Sequence, residues 1–298
     1  MKPFFSIIIP FFGTADRRLL DRCIQSIKSQ GLPPSAYEII VCDEGEGKGV
    51  YAARNEGMKR AQGKYLFFVD ADDWIYPHTL AGCLEILQQA KPDMLTFEFR
   101  KTGANDESVP QQPELKTTRY MSGAYFMAHH NYFGVIWRFM IRRELVEKEH
   151  LHFVERRHHQ DEIFCAECYF VARTVIHINT QVYAYCQHEG SLVHRPTAEY
   201  RERRMADYRN ILTELCRFYH ARSHKSKLQV QALERRIHFL TICYLIELKR
   251  NHCPLKRFRQ ELHELRSEHF LPLPDNHYNW KYTLARSVIN PMSRLIAQ

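Results

Sequence analysis

The sequence lacks most of the features that mark membrane-spanning, disulfide-bonded or zinc-binding chains. Its opening apolar run, residues 4–9, stops at Pro10 and is too short for a membrane span or a signal peptide. Its nine cysteines are odd in number and, apart from Cys165 and Cys168, show no paired spacing, so we expect reduced thiols and a cytoplasmic location. Its 17 histidines contain no His-Glu-x-x-His pattern. What remains is a chain of 298 residues, 45% hydrophobic, which suffices for one large domain or two small ones.

One pair of cysteines does have the spacing of a metal or redox motif. Cys165 and Cys168 form a Cys-x-x-Cys within a predicted helix. No second pair of this kind follows, and a structural zinc site needs four ligands, so neither zinc binding nor redox chemistry is indicated. We therefore predict that both thiols pack in the core as small apolar side chains.

The first quarter of the chain alternates strand patterns with helix patterns. Apolar runs at residues 4–9, 38–42 and 65–69 have the length of buried strands. Helical spacing follows Asp16, a candidate N-cap, and recurs over residues 51–61. This alternation predicts an α/β domain whose parallel strands are joined by right-handed crossovers.

Three carboxylates follow the third predicted strand directly: Asp70, Asp72 and Asp73. In an open α/β sheet, ligands bind just outside the carboxyl ends of the strands. Crowded carboxylates repel one another unless a cation joins them, and their hard oxygen atoms suit Mg²⁺ or Mn²⁺. The cluster therefore predicts a divalent ion that can hold a diphosphate. The alternative for a lone Asp-x-Asp is an acidic surface turn.

Several short motifs follow one another between residues 10 and 74. They are PFFG at 10–13, CDEGE at 42–46, AARNEG at 52–57, AQGKY at 61–65 and DADDW at 70–74. Their order and spacing resemble glycosyltransferase family 2. The resemblance implies the GT-A fold, a Rossmann-like, mostly parallel sheet flanked by helices. It also implies a nucleotide-sugar donor.

The resemblance implies that residues of the first two motifs recognise the nucleobase. Phe12 would stack on the base beside Pro10, as a flat aromatic ring can. Asp43 or Glu44 would accept hydrogen bonds from the base edge. Gly13 stands where the family usually has Asn, and Glu44 where it usually has a second Asp. Both departures lie where the base would be read.

The later motifs would hold the diphosphate. Asp70, with its neighbour Ala71, would reach the ribose or the metal, and Asp72 would coordinate the Mn²⁺ or Mg²⁺ that bridges the phosphates. Arg54 is a candidate phosphate contact, because its charge is permanent and its donors are forked. Asn55 is expected to pin a loop, a structural role.

An inverting transfer needs one group that takes the proton of the incoming hydroxyl. The family supplies it from an acidic pair at the start of a helix, and QDEIF at residues 160–164 matches that place. Asp161 takes the position of the base, with Glu162 as the second candidate and an acceptor contact. We expect the basic residues 156–159 to keep Asp161 ionised. Its alternative role is to cap the helix.

Two further positions resemble family features and keep a structural alternative. Trp137 could stack on the acceptor sugar, and a place in the core is equally compatible with the sequence. A predicted strand over residues 182–186 leads to a loop in which His188 could touch the diphosphate or the metal. The alternative for His188 is an ordinary exposed histidine.

The last hundred residues are basic. From residue 200 to 298 there are 19 Lys and Arg against 9 Asp and Glu, a net charge of +10. Helical patterns cover residues 211–219 and 230–248, restart at Pro254 and end with 282–297. These helices present either a solvated basic surface or one that docks on an anionic membrane at its inner face. No nucleic-acid-binding motif accompanies the charge.

The sequence thus predicts an inverting, metal-dependent glycosyltransferase of cell-surface polysaccharide synthesis. It would move a sugar from a nucleoside-diphosphate donor, a UDP-sugar by preference, to a hydroxyl of a glycan or lipid-linked glycan. One rival is a nucleotidyltransferase, although residues 13–18 are a poor triphosphate loop. The other is a binding protein with a degenerate core. The predicted parts are a donor-binding half at 1–105, an acceptor-binding half at 106–197 and a basic helical region at 198–298.

Overall fold

A computed structural model of the chain describes residues 2–11, 16–42, 49–106, 108–154, 160–187 and 198–295. The chain forms two compact units. The first consists of Met1–Phe126 and Phe133–His194, and the second of Met127–Tyr132 and Arg195–Gln298. Both predicted halves of the nucleotide-sugar region fall in the first unit, apart from residues 127–132 and the last three residues of the acceptor-binding half.

The described strands of the first unit form one mixed sheet. They are β1 (Phe5–Pro10), β2 (Tyr37–Cys42), β3 (Tyr65–Phe68), β4 (Trp74–Ile75), β5 (Met94–Gly103), β6 (Thr117–Tyr120), β7 (Phe139–Arg142) and β8 (Val175–Gln187). Their order is β2-β1-β3-β7-β5-β8-β4, with β6 paired to β8. The helices are α1 (Arg17–Lys28), α2 (Val50–Arg60), α3 (Thr79–Ala90), α4 (Gly123–His129), α5 (Arg143–Lys148) and α6 (Gln160–Val171), with 3₁₀ turns at Pro34–Ala36 and Ile136–Arg138.

The strands that the sequence predicted first are parallel, as expected. β1 pairs in parallel with β2 on one side and with β3 on the other. β7 then runs antiparallel between β3 and β5, whereas β8 is parallel to β5. The α/β sheet with flanking helices is therefore confirmed, and the sheet is mixed rather than mostly parallel. The antiparallel pairs are those of β7 with β3 and β5 and those of β4 and β6 with β8, and all of them join segments that are distant in sequence.

Close packing against β1 fixes where α2 and β3 lie. Asp16 caps α1 as predicted, since its carboxylate accepts a hydrogen bond from the Arg18 amide at 2.9 Å. A Cβ on Gly57 would lie 2.3 Å from the Ile8 side chain, and one on Gly63 would lie 2.6 Å from the backbone of Phe5. Only glycine leaves room for these approaches. Strand β3 is buried throughout, the burial that its apolar run predicted.

The second unit is helical, as its sequence predicted. Its helices are α7 (Ala198–Ala221), α8 (Lys227–Arg250), α9 (Leu255–Ser267) and α10 (Trp280–Leu295). The predicted apolar face of α8 is buried along its length: Ile237, Leu240, Tyr244 and Leu248. Helix α7 begins well before residue 211, where the predicted helix starts. The first half of α7 was not predicted, because it is too charged to show apolar spacing. No helix in the described part of the chain has both the length and the apolar character needed to cross a membrane.

Two buried arginines of α8 hold the short segment Met127–Tyr132 within this unit. Arg235 donates to the carbonyl oxygens of Met127 at 3.0 Å and His130 at 2.8 Å. Arg236 donates to the carbonyl oxygen of Tyr132 at 3.0 Å, and its guanidinium lies 3.9 Å from the Tyr132 ring. Part of the basic character of the tail is therefore structural.

Candidate functional site

Three charged side chains from three elements meet at the carboxyl end of β3. Arg54 lies in α2, Asp70 follows β3, and Asp161 is in the first turn of α6. Nη2 of Arg54 donates to Oδ1 of Asp70 at 2.9 Å, and Nη1 donates to Oδ1 of Asp161 at 2.6 Å. The Arg54 side chain is 4% exposed, while those of Asp70 and Asp161 are 29% and 24% exposed. One buried cation therefore joins two partly open carboxylates.

Aromatic rings surround the guanidinium of Arg54. Its Cζ lies 5.5 Å from the ring centre of Tyr51 and 5.7 Å from that of Phe153. Its Nε is buried and makes no hydrogen bond within the described residues. An arginine held this tightly is a fixed donor, since few rotamers remain open to it.

Helix α2 also fixes the chain on both sides of residues 155–159, which lie outside the described residues. The amide group of Asn55 donates to the Phe153 carbonyl at 2.8 Å and accepts from the Phe153 amide at 2.9 Å. The Tyr51 hydroxyl accepts from the Gln160 amide at 3.1 Å. The prediction that Asn55 pins a loop is confirmed. These bonds place the start of α6, and with it Asp161, against α2.

Burial makes Asp161 more basic than an ordinary aspartate. Its pKa is raised to about 6, chiefly by burial and further by the charges of Asp70 and Glu162, while Arg54 opposes the rise. The sequence led us to expect that the cations of residues 156–159 would act on Asp161. Those residues lie outside the described part of the chain. Among the described residues, the cation that contacts Asp161 is Arg54. Burial also raises the pKa of Asp70, again against Arg54.

Asp73 anchors the acidic loop to β8. It is buried and accepts hydrogen bonds from the Tyr183 hydroxyl at 2.6 Å and the Cys186 amide at 2.7 Å. The same hydroxyl accepts from the amide of Asp70 at 3.0 Å. Burial raises the pKa of Asp73 well above its usual value, with Asp72 and Asp70 adding to the effect. Tyr183 was not predicted to belong to the site, because the pattern of a strand does not indicate what a tyrosine hydroxyl will bind.

Arg22 braces the other side of the acidic loop. Its guanidinium donates to the carbonyl oxygens of Asp72 at 2.9 Å and Ala104 at 2.7 Å. The guanidinium also lies 4.1 Å from the centre of the Trp74 ring, a cation–π contact. Nothing in the helical spacing of α1 distinguished this arginine from a solvated one. The loop at residues 70–74 is thus held by side chains from α1 and β8.

The chain is similar to known glycosyltransferases. Residues 44–149 match the family model described as glycosyl transferase family 2. This stretch contains Arg54 and Asp70 of the site. The chain is 26% identical over 219 residues to the uncharacterized glycosyltransferase YibD of Escherichia coli K12, covering 63% of this chain and 62% of YibD. The chain spans about three-fifths of the length of such curated relatives.

A second relative combines a curated name with a solved structure. Poly(ribitol-phosphate) beta-N-acetylglucosaminyltransferase TarS of Staphylococcus aureus Mu50 is 21% identical over 266 residues, covering 79% of this chain and 44% of TarS. The crystal structure of S. aureus TarS 1–349 in complex with UDP-GlcNAc has a TM-score of 0.68 at 18% identity. It covers 98% of this chain and 90% of that chain. The likeness shows that the chain shares the fold of TarS, the GT-A fold.

The Trp137 ring lies in the core of the first unit. It is 6% exposed and stacks on Tyr183 at 4.5 Å and on Tyr185 at 5.4 Å, with Phe99 at its edge. This packing corresponds to the core alternative. A ring covered in this way has little area left for an acceptor sugar.

The remaining predicted residues divide into described and undescribed positions. Glu162 is partly buried, and its carboxylate lies where a Cβ of residue 134 would be, so a larger residue at that position would displace this carboxylate. Pro10 is buried at the end of β1 opposite Cys42, and Ala71 is partly buried beside the core. The others lie outside the described residues: Phe12, Asp43, Glu44 and His188. Cys165 and Cys168 are buried in α6 as reduced thiols, as predicted.

The described residues contain no cluster of three or more His, Cys, Asp or Glu side chains that could hold a metal ion. Two carboxylates, those of Asp70 and Asp72, flank the open end of β3, and one oxygen of Asp70 is bonded to Arg54. Mg²⁺ in phosphate-transfer sites commonly takes one or two carboxylates and completes its shell with phosphate and water. The donor set therefore fits a metal that arrives with a diphosphate better than a resident ion.

Proposed function

We propose that the chain is an inverting glycosyltransferase that moves a sugar from a UDP-sugar to a hydroxyl of a glycan or lipid-linked glycan. The observation that carries this proposal is Asp161, a basic carboxylate fixed through Arg54 to Asp70 at the donor end of the sheet. The choice of UDP rests on TarS, which has been crystallised with UDP-GlcNAc. The acceptor class rests on the poly(ribitol-phosphate) named for TarS.

In this reaction Asp161 accepts the proton of the acceptor hydroxyl. Arg54 donates to Oδ1 of Asp161, which leaves Oδ2 as the oxygen that takes the proton. The hydroxyl oxygen then forms a bond to the anomeric carbon as the bond from that carbon to the diphosphate breaks. The bonding electrons leave with the diphosphate. A base with a pKa about 6 is mostly ionised at neutral pH and still basic enough to help.

The acidic loop serves the donor side of the reaction. Asp72 and Asp70 would hold Mn²⁺ or Mg²⁺, which when bound neutralises negative charge on the leaving diphosphate. Arg22 and Asp73 keep the loop backbone in place from both sides. Arg54 orients Asp70 and favours its ionised form, against the effect of burial on the pKa of Asp70.

A thermal-shift screen tests the donor assignment. UDP-, GDP- and CDP-sugars are compared, each with Mn²⁺ and with EDTA. We expect UDP-sugars to raise the melting temperature by several degrees, and only when the metal is present. A ligand at 100 times its Kd adds about 2.7 kcal/mol to the unfolding free energy. No shift with any nucleotide would favour the binding-protein alternative.

A substitution separates catalysis from binding. Asp161→Asn keeps the shape of the side chain and removes its basicity, so transfer is abolished while the UDP-dependent thermal shift stays nearly intact. Asp93→Asn is the matched control, since Asp93 is also partly buried and paired with an arginine, Arg142, at 3.2 Å. Loss of nucleotide binding together with transfer would count against Asp161 as the base.

A further inference from the structure

Helix α10 exposes an apolar face that runs along its whole length. Trp280, Leu284, Val288 and Met292 are 71%, 59%, 52% and 39% exposed. Their spacing of four residues places them on one side of a helix. Twelve residues at 1.5 Å each give this face a length of roughly 18 Å. We call these four side chains the α10 face.

The opposite side of α10 is fixed within the second unit. Tyr282 is buried, and its hydroxyl donates to the Pro274 carbonyl at 3.0 Å. The Asn290 amide group exchanges two hydrogen bonds of 2.8 Å with the backbone of Leu273. Arg266 donates to the carbonyl oxygen of Ser293, which is fully buried. The helix therefore cannot roll to bury the α10 face without breaking these contacts.

The charges on α10 are of one sign. The helix contains Lys281, Arg286 and Arg294 and no Asp or Glu. Arg286 is paired with Asp275, whereas Lys281 and Arg294 are exposed on the helix surface. The Lys281 ammonium lies 5.7 Å from the Trp280 ring, beside the α10 face. An apolar helix face with cations beside it is complementary to a partner whose interior is apolar and whose surface is negatively charged.

We propose that α10 docks on an anionic phospholipid bilayer, with its axis in the plane of the interface and the α10 face among the upper acyl chains. Amphipathic helices with Trp and Leu on one face and Lys or Arg beside it bind membranes in this way. A second copy of the chain is a poorer occupant, because a two-fold contact through the same face would bring Lys281 and Arg294 of both copies together. The donor and base assignments play no part in this argument.

Vesicle binding by the full chain tests the proposal. We expect co-sedimentation with vesicles of equal parts phosphatidylcholine and phosphatidylglycerol, and much weaker binding to phosphatidylcholine alone. Trp280 reports the contact directly, since its emission should shift to shorter wavelength on binding, and Trp280→Phe should abolish that shift while binding persists. The other two tryptophans, Trp74 and Trp137, are already partly or fully buried.

The double substitution Leu284→Ser and Val288→Ser should weaken vesicle binding by roughly tenfold or more, because it removes two half-exposed apolar side chains from the contact. Both lie on the surface, so the fold and any nucleotide-dependent thermal shift are unchanged. Leu115→Ser is the control, since Leu115 is 54% exposed in the first unit. Equal binding by the double variant overturns the proposal. Absence of vesicle binding, with self-association lost in the double variant, overturns it in favour of a second copy.

Discussion

Buried arginines serve different ends in the two units. In the first unit Arg54 is bonded to two carboxylates, and in the second Arg235 and Arg236 are bonded to backbone carbonyls. Burial lowers the pKa of Arg235, whose acceptors are neutral. Burial acts on Arg54 as well, but the charges of Asp161 and Asp70 outweigh it, so the pKa of Arg54 is raised. An arginine among carboxylates sets the chemistry of a site, whereas one among carbonyls only fixes the path of the chain.

Arg54→Ala tests the role of the buried arginine in the first unit. Two partly buried carboxylates are then left without their cation, which we expect to cost about 3–5 kcal/mol of unfolding free energy. Transfer should fall by about a hundredfold or more, since Asp161 is no longer held in position. Urea unfolding and turnover measure the two effects. Arg18→Ala, which removes an exposed pair with Asp16, is the control. Turnover like that of the wild type would show that Asp161 does not depend on Arg54.

Arg235→Met probes the structural arginine. The carbonyl oxygens of Met127 and His130 lose their donor, and we expect a loss of about 3 kcal/mol in unfolding free energy. The UDP-dependent thermal shift should persist, because no carboxylate of the site contacts Arg235. Arg217→Met, whose side chain is 64% exposed, should be nearly neutral. A larger loss of turnover than of stability would contradict the division between the two arginines.

His238, a partly buried histidine, is expected to give the second unit a pH dependence of its own. His238 stacks on Tyr278, and burial lowers its pKa to about 4 from 6.5. Between these values the unfolded chain binds a proton that the folded chain does not, so stability falls as the pH falls. We expect about 2 kcal/mol less unfolding free energy at pH 5 than at pH 7 from this group. Urea unfolding of His238→Gln should show a correspondingly smaller slope with pH, and an unchanged slope would exclude His238 as its source.

The pH dependence of transfer tests the first unit in the same way. Asp161 must be ionised to accept a proton, so kcat/KM should fall below pH 6, by about tenfold at pH 5. In Arg54→Lys the cation is retained but cannot bridge both carboxylates, and we expect this acid limb to move. A limb that stays at the same pH in Arg54→Lys would show that another group produces it. The measurement is kcat/KM for the acceptor across this pH range, with the donor at saturating concentration.

Much of the fold could be predicted because its signals are local. The apolar runs of β1, β2 and β3 and the spacing in α8 each lie within a few residues of one another, as do the glycines that let α2 and β3 approach β1. The mixed nature of the sheet could not be predicted. β7 is only four residues long, and its direction depends on strands that are distant in sequence.

The candidate site was predicted in its parts and not in its connections. The motifs pointed to Asp70 and Asp161, and Arg54 was expected to contact phosphate. The structure shows Arg54 between the two carboxylates, and its contact with phosphate stays a prediction. It also adds Tyr183 and Arg22 as supports of the acidic loop. Trp137, for which the sequence left two roles open, is packed on Tyr183.

The sequence by itself determined the kinds of element, the acids at the end of β3 and the positive charge of the tail. Periodicity, capping and short motifs act over a few residues, and they can be recognised without knowing what lies across the sheet. Only the tertiary structure decided which groups became partners. Arg54 and Asp161 are 107 residues apart, and their contact exists because α2 and α6 meet at the end of the same sheet. Burial at that meeting point raised the pKa of Asp161 and gave an ordinary aspartate the basicity that the proposed reaction requires.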